Sequence, residues 1–261
     1  MIIDFHTHCF DDRIADKAVK KLELKAHISA VHDGTKDGLI SHLAECGVDM
    51  GVVLPVATKP SQVKTINAWA LENSGGPLRF FGAMHPDDPD LIQNLEQVKQ
   101  NGFKGVKLHP DYQCFFADEP RMMPAYEAIR DLGLVLVLHA GVDVGYPAPV
   151  HCTPLMIRRI VKNVPGLKLV AAHMGSHALW RDVEEALIGL PLYLDTSYSH
   201  YMLGDETMAR MIQRHGAENV LFGTDSPWKR ADDEIARISG LPLSAADLDL
   251  ILSQNAIRLL A

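Results

Sequence analysis

Eight short apolar runs recur along the 261 residues, most of them stopping on a polar residue: IIDFH (2–6), MGVVLP (50–55), LRFFGAMHP (78–86), GVKLHP (105–110), LVLVLHAG (134–141), KLVAAHMG (168–175), LYLDTS (192–197) and VLFGTD (220–225). The segments between them have helical character and carry end signals. Gly47, Gly102, Gly133 and Gly216 stand where left-handed C-caps fall. Thr153-Pro154 reads as an N-cap with proline in the first turn, and Ser244 to Asp247 as a capping box before DLILSQNAIRLL. Strands alternating with helices pair in parallel, because a parallel pair needs a crossover connection. Runs such as LVLVL are continuously apolar, as strands covered on both faces are. The pattern predicts an α/β fold, a (β/α)8 TIM barrel of parallel strands forming one domain over 1–261. A doubly wound open sheet is the alternative, but no strand is followed by the glycine-rich dinucleotide fingerprint. The longest connection, 9–49, exceeds a plain βα loop. It contains a helical stretch at 12–24 and the loop VHDGT at 31–35, and is expected to be a lid.

Composition narrows the function classes. Apolar residues make up 47% and charged residues 22%, enough for a sizeable core without low-complexity tracts. The formal net charge of -8 argues against a nucleic-acid partner, since no long basic run offsets the repulsion of phosphates. The densest basic cluster, Lys17 with Lys20 and Lys21, reads as the solvated face of a helix. Cys9, Cys46, Cys114 and Cys152 form no C-x-x-C pair and read as free structural thiols of a reducing compartment. With no leader pattern and no long apolar span, a cytoplasmic protein without a membrane partner is expected. A homodimer is expected only from the prevalence of two-fold assemblies.

The polar residues at the run ends carry the chemistry. In a barrel these ends meet at one face, so residues distant in sequence surround one cavity. They are His6 and His8, His85, Lys107 and His109, His139, His173, Asp195 and Asp225. His6 and His8 are two apart, so simple strand alternation aims both imidazoles to one face, an arrangement that suits a metal ion. His85 before Pro86 reads as a supporting or structural residue, and Asp195 as the cap of the next helix in preference to a residue that orients a ligand. His151 in the loop after the fifth run is a candidate to touch substrate, as are Tyr112, Phe115, Phe116 and Trp228. His177, soon after the sixth run, is a further candidate to touch substrate and also fits an exposed first helical turn, while His27, His32, His42, His200 and His215 read as surface residues.

In this order, DFHTH, GFKGVKLHP, LHAG, AAHMG, LFGTDSPW and the closing NAIRLL resemble the amidohydrolase superfamily along essentially the whole chain. Within it they resemble the amidohydrolase-related branch, which includes mononuclear zinc hydrolases and the aminocarboxymuconate-semialdehyde type of decarboxylase. The resemblance implies that His6, His8, His139 and Asp225 bind one divalent metal, with zinc expected first and manganese, iron or nickel acceptable to the same donors. It also implies that Asp225 accepts a proton beside the metal and that His173 is catalytic. Binuclear members carry a bridging glutamate or carboxylated lysine on strand four. Here Lys107 stands there, expected as a cation that holds an anionic substrate group with His109, or as a carbamate bridging a second metal. Such a shell supports attack of activated water on a small amide, lactone or ester, which is the leading expectation. The alternative on the same shell is nonoxidative decarboxylation of a small unsaturated or aromatic acid.

Overall fold

The computed structural model describes residues 1–261. The apolar runs become β1 (Ile3–Thr7), β2 (Met50–Val53), β3 (Leu78–Phe80), β4 (Gly82–Ala83), β5 (Gly105–Leu108), β6 (Val135–Leu138), β7 (Lys168–Ala171), β8 (Tyr193–Asp195) and β9 (Val220–Leu221). One run yields both β3 and β4, interrupted at Phe81, so the nine segments form eight staves. They follow one another around the wall in sequence order, and every pair is parallel. The ring closes where Phe5 N–H donates to the Phe222 carbonyl at 2.8 Å and Asp225 N–H to the His6 carbonyl at 2.8 Å. The sheet is therefore closed, and no edge is left unpaired.

Two apolar layers hold it. Inside the wall, Ile3, Phe5, Val52, Phe81, Val137 and Val170 belong to one buried cluster, with the rings of Phe5 and Phe81 edge-on at 5.7 Å. Outside it, a larger cluster fills the space between strands and helices, as Val106, Leu108, Ile157 and Ile212 illustrate. Each buried phenylalanine stabilises the fold by about 1.5–3 kcal/mol.

β1 departs from simple alternation. Its register with β2 runs from Asp4 opposite Gly51 to Thr7 opposite Val53, three steps against two. That extra residue is a bulge, and it changes the phase of the strand. Ile3 and Phe5 therefore enter the interior core below, while His6 and His8 both serve the cavity above.

The end signals operate as expected. Gly47, Gly102, Gly133 and Gly216 all have positive φ. Thr153 accepts the Met156 N–H at 3.4 Å, and Ser244 and Asp247 form a reciprocal capping box. The closing helix is broken by a π-helical turn at Leu250–Gln254, where the Ile251 carbonyl accepts the Phe222 N–H of the strand end at 3.0 Å. The 9–49 connection holds two helices with different jobs. Lys36–Glu45 buries Leu39 and Leu43 against the barrel, whereas Ala15–Ala26 lies over the mouth of the cavity, where Ala18, Leu22 and Lys25 form part of its wall. No helix is long and apolar enough to cross a membrane.

Three histidines expected at the surface are buried. His42 accepts the Ala231 N–H at 3.3 Å, His215 donates to the Leu192 carbonyl at 2.9 Å, and His200 pairs with Asp205 at 2.6 Å. An imidazole with both nitrogens near partners fits a core as well as a surface, and sequence spacing does not separate the two.

Candidate active site

A cavity of about 580 Å³ opens at the C-terminal ends of the strands. His6, His8, Lys107, His109, His139, His173 and Asp225 all reach it. Asp4 joins the strand that carries His6 and His8 to the segment that carries Asp225. Fully buried, it accepts the N–H groups of His6 and Thr224 at 3.1 and 3.0 Å, which ties β1 to the turn bearing Asp225. Burial pushes its carboxyl up to about 7, against the pull of the Thr224 hydroxyl. Asp225 itself has φ 68 and His173 φ 60. Left-handed backbone at such non-glycine positions costs about 1 kcal/mol or more and is sustained by the surrounding contacts.

The hydrogen-bond network assigns the imidazole protons. His8 Nδ1 lies 3.0 Å from the Leu54 carbonyl, which accepts only, so Nδ1 carries the proton. His8 Nε2 then directs a lone pair at Asp225 Oδ1, 3.0 Å away. His6 behaves the same way. Its Nδ1–H is held by Asp195 Oδ2 at 2.9 Å, and its Nε2 faces Asp225 Oδ1 at 3.4 Å. Burial, reinforced by Lys107, lowers the His6 imidazole to about 3 and keeps it neutral despite Asp195. Burial alone would raise the Asp225 carboxyl, but the neighbouring imidazoles of His8, His6 and His173 hold it well below the usual carboxylate range. Two lone pairs and an anionic oxygen thus converge with no proton between them. A divalent cation satisfies that donor set, which is the nitrogen-and-carboxylate chemistry of zinc and its relatives.

A second imidazole pair lies beside the first. His173 Nδ1 donates to the Ser197 carbonyl at 3.0 Å, leaving Nε2 as the lone pair that faces His139 Nδ1 at 3.0 Å. The Nε2 of His139 is buried with no hydrogen-bond partner. Of the four ligands implied by the resemblance, then, His6, His8 and Asp225 gather around one point, and His139 meets that group through His173.

Lys107 is fully buried, with Nζ 3.3 Å from His6 Nε2. Burial lowers its ammonium to about 8, and Asp195 and Asp225 pull the other way. His109 stacks on His139 with centroids 3.9 Å apart, and Tyr112 stacks on its opposite face at 3.6 Å. Trp228 reaches the cavity, but His151 does not. It pairs with Asp111 at 2.8 Å and stacks on Phe116, outside the site. Phe115 is a core residue. His85 accepts the Asp87 N–H at 3.1 Å, in keeping with its structural reading.

Several site residues were not legible in sequence. Asp195 is not a helix cap: it is fully buried, holds His6 with one oxygen and accepts the His173 N–H at 3.0 Å with the other. Ser197 lies between the same two rings, 3.0 Å from His6 Nδ1 and 2.9 Å from His173 Nδ1. Asp143, from the loop after β6, sits beside His109 and His139. His177 is buried in the cavity wall and pairs with the Val142 carbonyl and the Tyr201 hydroxyl, not in an exposed turn. The signal available for Asp195 was its position at a strand end, which a cap also explains.

A family model described as Amidohydrolase matches residues 3–261. The chain is 25% identical to a gamma-resorcylate decarboxylase of Polaromonas sp. (strain JS666 / ATCC BAA-500), over 70% of this chain and 71% of that protein. A TIM-barrel protein from Bordetella bronchiseptica superposes with a TM-score of 0.77 at 19% identity, covering 99% and 98% of the two chains. A dihydroxybenzoic acid decarboxylase from Polaromonas sp. JS666, solved with manganese and the inhibitor 2-nitroresorcinol, superposes with a TM-score of 0.71 at 17% identity over 99% and 96%. The fold is that of a TIM barrel, and with the family match spanning nearly every residue, the chain belongs to the amidohydrolase family.

Proposed function

We propose that this protein is a metal-dependent nonoxidative decarboxylase of a small aromatic acid. The carrying observation is the pairing of the convergent His6, His8 and Asp225 donors with a buried cation, Lys107, at the base of a cavity walled by aromatic rings. The decarboxylases among the relatives favour this reading over hydrolysis of an amide, lactone or ester, which the same donors alone would allow. His6, His8, Asp225 and His139 would hold the ion; manganese stands beside zinc because a relative's structure carries it. When bound, the ion would supply Lewis-acid stabilisation of negative charge on the substrate.

The chain's own residues supply the rest. Lys107 attracts the carboxylate or a phenolate of the substrate into the base of the cavity, and Tyr112 and Trp228 offer faces to a planar ring. His173, with Nδ1–H committed to the Ser197 carbonyl, presents Nε2 to take a proton and deliver it to the carboxyl-bearing carbon. That carbon gains the proton, its bond to the carboxylate breaks, the electron pair returns to the ring, and carbon dioxide leaves. Asp225, ionised, relays that same proton, taking it from a water molecule of the cavity and passing it to His173, so that one proton is consumed for each carbon dioxide released. Asp195 and Ser197 orient His6 and His173 together.

One observation favours a second reading of the metal content. The His139–His173 pair lies beside Lys107 as a separate donor set, so a second ion with Lys107 carboxylated as the bridge fits the same residues. Metal analysis separates the two: one ion per chain supports cationic Lys107, and two ions with one lost in Lys107→Ala support the bridge. The activity test is incubation of metal-loaded protein in D2O with 2,6-dihydroxybenzoate and a panel of aromatic acids, lactones and amides. Release of carbon dioxide with deuterium entering the product is expected; hydrolysis of a lactone or amide with no decarboxylation of any acid overturns the reading.

A further inference from the structure

Asp143 stands out among groups that neither the family match nor the donor set explains. It comes from the loop that follows β6, its side chain is largely buried, and it reaches the cavity. Oδ2 is 3.3 Å from His109 Nε2 and 3.9 Å from His139 Nε2. The Asp111 carboxylate also lies within 4.8 Å of a nitrogen of each ring, but its Oδ1 is held by His151 at 2.8 Å, and Asp143 is the carboxylate paired with the two Nε2 atoms. His109 Nδ1 accepts the Tyr112 N–H at 3.4 Å, so its proton is on Nε2 and points to Asp143. The Gly145 N–H donates to the other Asp143 oxygen at 2.7 Å and fixes the carboxylate from behind.

His139 has two self-consistent tautomers. With the proton on Nδ1 it donates to His173 Nε2, and then its Nε2 lone pair faces the Asp143 carboxylate, a repulsive contact in a buried site. With the proton on Nε2 it points towards Asp143, and the lone pairs of His139 Nδ1 and His173 Nε2 face each other across 3.0 Å. That second arrangement is useful only to a cation or a proton placed between them. The field of the carboxylate favours it, because both rings then direct Nε2–H groups towards one anion.

We infer that Asp143 is a positioning residue that holds His139 in its Nε2–H tautomer, so that Nδ1, not the unpartnered Nε2, is the nitrogen offered to a metal ion. An acceptor behind a ligand imidazole acts in this way, and its removal weakens metal binding about 10–100-fold. The inference rests on the metal-binding reading of the site but not on the reaction, and its readouts need no turnover.

The test is the long-range 1H–15N spectrum of histidine-labelled protein at neutral pH, with His139 assigned by its loss in His139→Gln. The spectrum is recorded metal-free and with zinc for the wild type, Asp143→Ala and Asp143→Asn. The wild type is expected to show a protonated Nε2 and, on adding zinc, a shift of Nδ1. Asp143→Ala is expected to lose the tautomer preference and to bind zinc about 10–100-fold more weakly. Asp143→Asn retains an acceptor oxygen at the same volume and is expected to recover most of both, which keeps the test open should the alanine variant fail to fold. A wild-type His139 protonated on Nδ1, or zinc affinity unchanged in both variants, overturns the inference. Failure to release carbon dioxide from any acid, with the tautomer as expected, would count against the proposed reaction only.

Discussion

The two ends of the barrel interior are built from the same strands and have opposite chemistry. At the N-terminal end the inward positions are Ile3, Phe5, Val52, Val135 and Val170, an apolar layer with no charge in it. At the other end stand His139, four residues after Val135, with Lys107 from β5 and Asp195 from β8, all buried. The lower layer gains stability from close packing and area removed from water. The upper layer opposes it: buried Lys107 and the carboxylates Asp4, Asp195 and Asp225 all carry desolvation costs, offset by one another and by hydrogen bonds. A fold with a rigid apolar base tolerates such a top, which is why side chains can be held there in arrangements that water would otherwise relax.

The largest test of that division removes a donor from the top. His8→Ala, or chelation of the wild type, is expected to reduce activity by about 10³-fold or more through loss of the ion. The variant should melt no lower than the metal-free wild type by calorimetry; a large loss of stability would make His8 a packing residue. The reciprocal change is Phe5→Ala in the lower layer, expected to cost about 3–5 kcal/mol in urea unfolding, as truncating a buried phenylalanine does. Metal content of the folded fraction should be unchanged, and a parallel loss of metal would show that the two ends are not separable. Lys107→Met keeps the volume and removes the charge, so KM for an aromatic acid should rise about 10–100-fold, as loss of a charged hydrogen bond predicts. An unchanged KM would remove Lys107 from substrate recognition.

Two smaller effects lie outside both layers. Burial lowers His215 below its ordinary value, so the folded chain stays neutral there while the unfolded chain binds a proton near pH 6.5. Stability from this group is complete above that pH and falls as pH drops through the window down to the lowered folded value. Melting temperatures of wild type and His215→Gln at pH 7.5 and 5 check it, with the variant expected to show the shallower decline. Ser244→Ala removes one arm of the capping box and is expected to cost about 1 kcal/mol, with no change in metal content.

The capping box was legible because its signal is local: a serine, an acid three residues later, and one turn of helix between them. For the same reason the strands, the glycine caps at 47, 102, 133 and 216, and the gathering of His6, His8, His173 and Asp225 at one end of the barrel could be read along the chain. Asp195 could not. A carboxylate at a strand end suits a helix cap and a buried anchor equally, and the choice depends on His6, 189 residues earlier. His42 and His215 were misjudged likewise, since nothing beside them in sequence marks a buried partner. His151 failed in the other direction: it follows the right strand, but Asp111 and Phe116 hold it away from the cavity.

By itself the sequence determined a ring of parallel strands with imidazoles and carboxylates at their C-terminal ends, because hydrophobic period and turn chemistry act over a few residues and strand order then brings those ends together. Only the tertiary structure decided which nitrogen of each imidazole faces inward. That depends on whether a carbonyl, as at Leu54 and Ser197, or a carboxylate, as at Asp195, stands behind the ring, and those partners arrive from strands and loops that meet only after the barrel closes. The bulge between Asp4 and Thr7 belongs to the same class, since an extra residue in a strand exists only relative to the neighbour it is paired with.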